Sequence, residues 1–324
     1  MIRIAHLSLA ATPRGSETMV LQLCKLRDRA RFSTTVAMPH ESIMADEYRA
    51  VGAVVYTHSE GFEQAAREAD LVNIHWSGWD ASLLEIPQRW GKPCVTTLHQ
   101  RVPLPLIPVI TICTSRGARE LQHPSPRFIT IENGTDLGRF HPRLHSNRDE
   151  IVVTRVCDPT KCAPYFWDAM TIILGRYSHV RLQIVGDTPP EARSTERVRF
   201  LGVRRDIPEI LQESDLFFYT PYPGGGSRDL VVMEASAAGL PCVVSETCAV
   251  WDSVWDGENG FLTPFGDVNA CVQRLSQLIE DHELRKRMGR EAARLARMHF
   301  DARVMARKYE MVYDAVLADA RRAS

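Results

Sequence analysis

The stretch that decides the fold runs from residue 216 to residue 245. It opens on Leu216-Phe217-Phe218-Tyr219-Thr220, a short apolar run. Pro223-Gly224-Gly225-Gly226-Ser227-Arg228-Asp229-Leu230-Val231-Val232-Met233-Glu234-Ala235 follows, and the stretch closes on Pro241-Cys242-Val243-Val244-Ser245. A buried strand, a glycine-rich loop, a helix and a second buried strand form one parallel β-α-β unit. Backbone N–H groups at the start of such a helix, together with its dipole, favour an anion. The glycines let main chain approach a ligand closely. Glu234, one turn inside the helix, is within reach of a ribose. The plainer reading is a turn followed by a solvated glutamate, and spacing alone does not choose between them. The loop is neither a P-loop, which needs Gly-Lys-Ser/Thr, nor a dinucleotide fingerprint.

Working outward, the same alternation fills the chain. Ile151–Arg155, Leu182–Val185 and Val198–Leu201 read as further strands of this unit. Helices are expected at Tyr165–Tyr177, Asp206–Glu213, Leu230–Ala238, Asn269–Asp281 and Glu283–Met298. A second set of apolar runs lies upstream: Ile2–Leu7, Thr34–Ala37, Ala53–Tyr56, Leu71–Ile74, Cys94–Leu98, Val109–Cys113 and Phe128–Ile131. Amphipathic stretches such as Glu17–Arg29 and Glu63–Ala69 separate several of them. Apolar strands alternating with helices imply parallel sheets covered on both faces. The polar seam His141–Asp149 has no periodicity, so it divides the chain into an N-terminal domain, 1–148, and a C-terminal domain, 149–324. Ligands in such sheets bind at the carboxyl ends of the strands, and a cleft between two doubly wound α/β domains is the expected site. The last helix, Ala302–Ala320, is apolar along one face and is expected to pack back on a domain, the N-terminal one included.

Composition sets limits on partners. The 324 residues suit two domains. A formal net charge of −1 supplies no basic field for nucleic acid, so an anionic ligand has to be caught by a few placed cations or amides. The eight cysteines form no C-x-x-C pair and no zinc-ligand spacing, and they read as buried reduced thiols suited to the cytoplasm. The apolar N-terminus is interrupted by Arg3 and His6 and reads as a first strand, not a secretion signal. Val102–Cys113 is too short to span a bilayer and holds three prolines. The basic run Arg285, Lys286, Arg287, Arg290, Arg294 and Arg297 is interspersed with Asp281, Glu283 and Glu291. It reads as a solvated helix face, with weak peripheral contact to anionic lipid as the sharper alternative.

Two cations end the first strand of the second domain. Arg155 offers a planar fork and Lys161 a point charge, both suited to phosphate oxygens; taken alone, a solvated Arg–Lys pair near a turn is the plainer reading. At this point the chain resembles the retaining GT-B glycosyltransferases known as glycosyl transferases group 1. Ile131-Glu132-Asn133-Gly134-Thr135-Asp136-Leu137-Gly138-Arg139-Phe140-His141-Pro142 is similar to that family's domain-joining segment. Val198–Val203, Ala235–Val244 and Gly257-Glu258-Asn259-Gly260-Phe261-Leu262 are similar to further motifs, in the family's order.

The resemblance implies a GT-B fold of two Rossmann-like domains and transfer of a sugar from a nucleotide-sugar donor, with retention and no metal or other cofactor. The acceptor would be a glycan, a lipid-linked sugar or a small molecule. It implies that Arg155 and Lys161 hold the donor diphosphate, Asp229 and Leu230 offer it backbone amides, and Glu234 binds the ribose. Gly202 and Val203 would lie beside the base, Gly15 beside the phosphate or sugar, and His99 beside the transferred sugar. His75, Trp76 and Trp79 are acceptor-side candidates, with packing as their plainer role.

The chain departs from the family at the Gly15 loop, which has one glycine where two are usual, and in four places of the second domain. Gly226 stands where a glutamate usually touches the donor sugar, and Ser227, Arg228 and Asp229 are the nearby residues that could compensate. Arg228-Asp229 replace Phe-Gly, Thr154 replaces the glycine before the arginine, and Cys162 replaces the glycine after the lysine. The departure at Gly226 motivates a second reading, a catalytically weakened nucleotide-sugar-binding pseudo-glycosyltransferase. A sugar-nucleotide 2-epimerase on the same fold is the third.

Overall fold

The computed structural model describes residues 1–10, 15–76, 82–142, 149–157, 159–188, 192–223, 229–247, 250 and 252–323. Gly226, Ser227, Arg228 and Trp79 lie outside them. The described chain forms two compact units, Met1–Gly134 with Ala302–Ser324, and Thr135–Asp301. The units divide at Gly134 and at Asp301, whereas the sequence reading placed one boundary near residue 148. That seam begins inside the second unit, because Phe140 is buried in its core and Pro142 sits against Gly239.

The first unit contains β1 (Ile2–Ser8), α1 (Gly15–Leu26), β2 (Phe32–Ala37), α2 (Ile43–Ala50), β3 (Val54–Tyr56), α3 (Ser59–Glu68) and β4 (Leu71–Trp76). It continues with α4 (Ser82–Arg89), β5 (Cys94–Leu98), β6 (Ile110–Cys113), α5 (Arg116–Glu120) and β7 (Phe128–Thr130). Its seven strands are ordered β3-β2-β1-β4-β5-β6-β7, with every printed pairing parallel. The order reverses between β1 and β4, which pair from Ile4↔Leu71 to Ser8↔His75. A crevice at the carboxyl ends of the strands opens at such a reversal.

The second unit contains β8 (Ile151–Val156), a 3₁₀ turn (Pro159–Lys161), α6 (Tyr165–Arg176), β9 (Val180–Val185), β10 (Val198–Gly202), α7 (Ile207–Gln212), β11 (Leu216–Tyr219) and α8 (Leu230–Ala237). Then come β12 (Cys242–Ser245), β13 (Gly260–Thr263), α9 (Val268–Glu280) and α10 (His282–His299). The strand order is β10-β9-β8-β11-β12-β13, and here the reversal lies between β8 and β11. The edge strand β13 was read in the sequence only as part of a glycine motif. Four residues opening on a glycine give little alternation to detect, and Gly260 is required because an added Cβ would come 2.3 Å from the Cys242 carbonyl oxygen.

Each unit closes on its own core. In the second, Val153, Phe166, Phe217, Phe218, Val232, Met233, Val243 and Leu275 are fully buried. Nearly every residue of α8 is buried, as expected of a helix apolar all round. That burial explains why its sequence shows no amphipathic period. In the first unit, α11 (Ala302–Ala323) contributes Met305, Tyr309 and Tyr313 to the core that Ile4, Met19 and Ile112 form. The Asn73 amide donates to the Tyr313 hydroxyl at 2.9 Å and accepts from Thr97 Oγ1 at 2.9 Å. The last helix is thereby tied to the middle of the first sheet.

Several sequence motifs turn out to be structural. Gly239, at φ +80°, turns the chain between α8 and β12 in a conformation L side chains rarely adopt. Asn259 accepts from Trp255 N–H at 2.7 Å and donates to the Ser253 carbonyl at 3.0 Å, holding the turn before β13. The basic run on α10 is partly used up locally. Arg285 donates to the carbonyls of Leu278 and Ile279 at the end of α9, and Arg294 pairs with Glu291 at 2.5 Å. Among the described residues no helix is long and apolar enough to cross a membrane.

Candidate functional site

In the second unit the cations stand where the strand order reverses. Arg155 is the fifth residue of β8 and only 4% exposed. Its guanidinium carbon lies 4.6 Å from the centre of the Phe166 ring, the first buried aromatic of α6, and 5.7 Å from Trp167. Arg155 Nε is buried without a hydrogen-bond partner, and no carboxylate of the described residues forms an ion pair with this side chain. A buried cation is costly unless an anion meets it, so the position suits an anionic ligand.

Lys161 ends the 3₁₀ turn and is exposed. Its charge acts on Asp229, whose carboxyl burial pushes up to about 6 against the pull of Lys161 and a hydrogen bond from Tyr219. Lys161 therefore stands beside the start of α8. Asp229 occupies the N-cap position of α8 yet makes no side-chain cap bond to the helix. Its carboxyl turns to Tyr219 instead, so the cap residue does not take up the first amides, those of Leu230 and Val231. Glu234 is 9% exposed, and burial raises its carboxyl to about 7, held back by the Arg139 charge.

Gly202 ends β10 at φ +68° with open space around it, and Val203 next to it is 64% exposed. A bare backbone beside an exposed apolar side chain suits the face of a flat ring. The structure thus gathers Arg155, Lys161, Asp229 and Leu230 at one strand reversal, with Glu234 one turn along α8.

Two of the sequence departures are absorbed by packing. Thr154 Oγ1 bonds Ser214 Oγ at 2.7 Å, turning away from the side occupied by Arg155. Cys162 Sγ lies 3.1 Å from Thr220 Oγ1.

The first unit corrects the acceptor-side expectations. Trp76 is fully buried at the end of β4, so its ring packs in the core and is no sugar platform. His75 is 2% exposed and bonds two other histidines. Gly15 is the exposed first residue of α1. His99 follows β5, is 8% exposed, and its N–H donates to the Trp76 carbonyl at 3.0 Å.

His6 was missed. In sequence it only interrupts an apolar run, yet it sits at the inward end of β1 with its Nδ1 2.9 Å from His75 Nε2. His6 lies two residues before the end of β1, His75 one before the end of β4 and His99 just after β5; those positions are legible in sequence, whereas the adjacency of the three strands is not.

Comparison with known proteins gives the class first. The chain superposes on Anabaena HepE crystallised with UDP-glucose at a TM-score of 0.79, with 20% identity, over 97% of this chain and 100% of that one. It superposes on a glycosyltransferase from Rickettsia africae at a TM-score of 0.81, with 13% identity, over 98% of each chain. The fold is GT-B. Residues 148–281 match the family of glycosyl transferases group 1.

Curated relatives agree with that match. They include N-acetyl-alpha-D-glucosaminyl L-malate synthase of Bacillus anthracis, 30% identical over 43% of this chain and 38% of that protein. Phosphatidyl-myo-inositol mannosyltransferase of Mycobacterium leprae is 31% identical over 58% of this chain and 54% of that protein. The matched segment and these relatives support the group 1 glycosyltransferase family. The matches span about half or less of these relatives' own length.

Proposed function

We propose that the protein transfers a glycosyl group from a nucleotide-sugar donor to an acceptor, with retention and without a metal. The observation that carries this reading is Arg155, a buried guanidinium with an unbonded Nε at the strand reversal of the second unit. A donor diphosphate supplies the anion that position requires.

Departure of the nucleoside diphosphate leaves negative charge on the β-phosphate. Arg155, Lys161 and the first amides of α8 meet that charge where it develops, which is electrostatic stabilisation of the leaving group. Glu234 takes the ribose, and Gly202 with Val203 receives the base. His99 stands on the sugar side. With retention, the departing phosphate oxygen can itself take the proton of the acceptor hydroxyl, so no separate strong base is needed. Gly226, Ser227 and Arg228 precede α8 in the sequence and are proposed donor-sugar contacts at the place of the family's glutamate.

Structural neighbours support a uridine diphosphate donor, since HepE is described with UDP-glucose and with UDP and glucose. Relatives named for phosphatidyl-myo-inositol and for a diphospho-undecaprenol sugar support a lipid-linked or glycan acceptor.

A thermal-shift panel of nucleotide sugars followed by a transfer assay tests the reading. A ligand present at 100 times its Kd stabilises by about 2.7 kcal/mol, so a cognate donor gives a clear rise in Tm. No shift with any UDP- or GDP-sugar would remove the donor site. A shift without transfer or donor hydrolysis would favour the pseudo-glycosyltransferase.

A further inference from the structure

Two cysteines flank Lys161 in the chain. Cys157 follows β8, and Cys162 follows the 3₁₀ turn Pro159–Lys161. Both thiols are free. Strand register brings them together. β8 and β11 pair in parallel at Val153↔Leu216 and Thr154↔Phe217, and the same register continued to the strand ends sets Thr220 opposite Cys157. Cys157 is still held in line with the sheet there, its N–H donating to the Val185 carbonyl at 3.1 Å. Cys162 reaches the same point from the far side of the turn. It pairs with Pro221 in an isolated bridge, and its Sγ lies 3.1 Å from Thr220 Oγ1. The next residue, Ala163, donates its N–H to the Thr220 carbonyl at 2.8 Å. The Cys157 and Cys162 thiols hydrogen-bond each other.

This pair differs from the other cysteines. Cys24, Cys113, Cys242 and Cys271 are 0% exposed, whereas Cys157 and Cys162 keep 9% and 7%. Burial pushes the Cys24 and Cys113 thiols up to about 11 and the Cys94 and Cys242 thiols up to about 12. The hydrogen bond from Cys157 instead holds the Cys162 thiol below its usual range, against burial and with help from the Arg155 charge and Thr220. The same bond, together with burial, raises the Cys157 thiol. The thiolate is the reactive form of cysteine. Cys162 is therefore the nucleophile of the pair, and Cys157 is the thiol placed to condense with whatever forms on it.

We propose that Cys157 and Cys162 form a dithiol that a peroxide oxidises, and that the resulting disulfide weakens donor binding at Arg155 and Lys161. With hydrogen peroxide, the Cys162 thiolate attacks one oxygen and breaks the O–O bond. Cys162 becomes a sulfenic acid, and the hydroxide that leaves takes up a proton as water. The Cys157 sulfur, giving up its proton, then displaces the sulfenic hydroxyl as a second water and closes the S–S bond. Each sulfur loses one electron, and the peroxide takes both. An S–S bond is about 2 Å long, so closing it draws Cys162 off Thr220 and pulls on Lys161 beside it, whose carbonyl accepts from the Tyr222 N–H at 3.3 Å. A dithiol reductant reverses the step by exchange. Formation of the disulfide does not depend on the transferase reading; its effect on the donor rests on that reading.

The test treats the full native chain with hydrogen peroxide, alkylates the remaining thiols and reads an unreduced tryptic digest by mass spectrometry. Trypsin cuts after Arg155 and after Lys161, which separates the two cysteines, so the disulfide joins the peptides Val156–Lys161 and Cys162–Arg176. The expected result is that joined pair ahead of oxidation at any other cysteine, and its loss after dithiothreitol. The Tm rise given by the nucleotide sugars of the thermal-shift panel should shrink in the oxidised protein and return on reduction. Cys162→Ala should form no joined pair and keep its Tm rise through peroxide treatment.

Cys157 and Cys162 recovered in separate alkylated peptides after peroxide overturn the proposal, and so does Cys162 carried on to sulfinic acid with Cys157 untouched. A joined pair with an undiminished Tm rise overturns the effect on the donor. Should Cys162→Ala fail to fold, the wild-type digest with and without dithiothreitol still decides. If the pair is joined but no nucleotide sugar shifts the Tm of the reduced protein, the transferase reading falls and the dithiol stands.

Discussion

Arg155 lies with its guanidinium carbon 4.6 Å from the ring centre of Phe166, both side chains buried, at the end of β8 where the second sheet reverses its strand order. The Trp167 ring lies 5.7 Å from the same carbon, so the cation is packed among aromatic side chains. The same arrangement holds a charge that no carboxylate of the described residues balances.

Opposite effects on stability and activity follow from that arrangement. Arg155→Met keeps much of the stem packing and deletes the buried charge, so the ligand-free protein should melt higher or unchanged. The Tm rise with a nucleotide sugar should vanish, and turnover should fall about 10²–10³-fold, the usual loss for one preorganised charge-stabilising donor. Differential scanning fluorimetry with and without donor, alongside initial rates, checks both halves. A lower apo Tm with full turnover would contradict the anion-site reading. Arg155→Lys should recover only part of the rate, because it keeps the charge and loses the fork.

Stability should depend on pH through Glu234. Burial raises its carboxyl from 4.5 to about 7, with Arg139 the charge that opposes the shift. A carboxyl with a raised folded pKa binds more protons folded than unfolded, so stability declines as pH rises from about 4.5 to about 7 and then levels. The contribution is of the order of 3 kcal/mol at about 1.36 kcal/mol per unit. Asp229, raised from 3.8 to about 6, adds to the slope in the same direction. Urea denaturation of Glu234→Gln against the wild type between pH 4.5 and pH 8 should show a smaller pH slope in the variant.

The Asn73–Tyr313 bond should account for part of the docking of α11. Tyr313→Phe leaves the buried Asn73 amide without its partner, at a cost of about 1–3 kcal/mol. The urea midpoint should drop while the m-value is kept. An unchanged midpoint would mean that apolar packing of Met305, Tyr309 and Tyr313 alone holds the helix.

Gly289 should tolerate no side chain. An added Cβ there would come 2.4 Å from the Gly239 carbonyl oxygen, which is backbone and cannot rotate away. Gly289→Ala should cost about 1–3 kcal/mol by overpacking, read as a lowered melting temperature. Gly175→Ala, in α6 with open space around the added carbon, should be neutral or slightly stabilising.

The sequence carried the α/β class because apolar runs of strand length alternate with helical stretches, and that pattern is set residue by residue. It also placed Arg155 at the end of a strand and Leu230 and Glu234 in the opening turns of a helix, because those positions follow from consecutive residues. It did not carry β13, too short to show a period, or the fate of His75 and Trp76, where one residue decides between surface and core.

What only the tertiary structure decided is how neighbours from distant segments meet. His6, His75 and His99 lie 69 and 24 residues apart along the chain, and nothing local announces that β1, β4 and β5 will bring their rings into one row. The unpaired state of Arg155 Nε likewise belongs to the fold, since a charge is satisfied or stranded by whatever packs around it. Local propensity is written in consecutive residues, whereas burial, charge balance and hydrogen-bond partners come from contacts that close only when the sheets assemble.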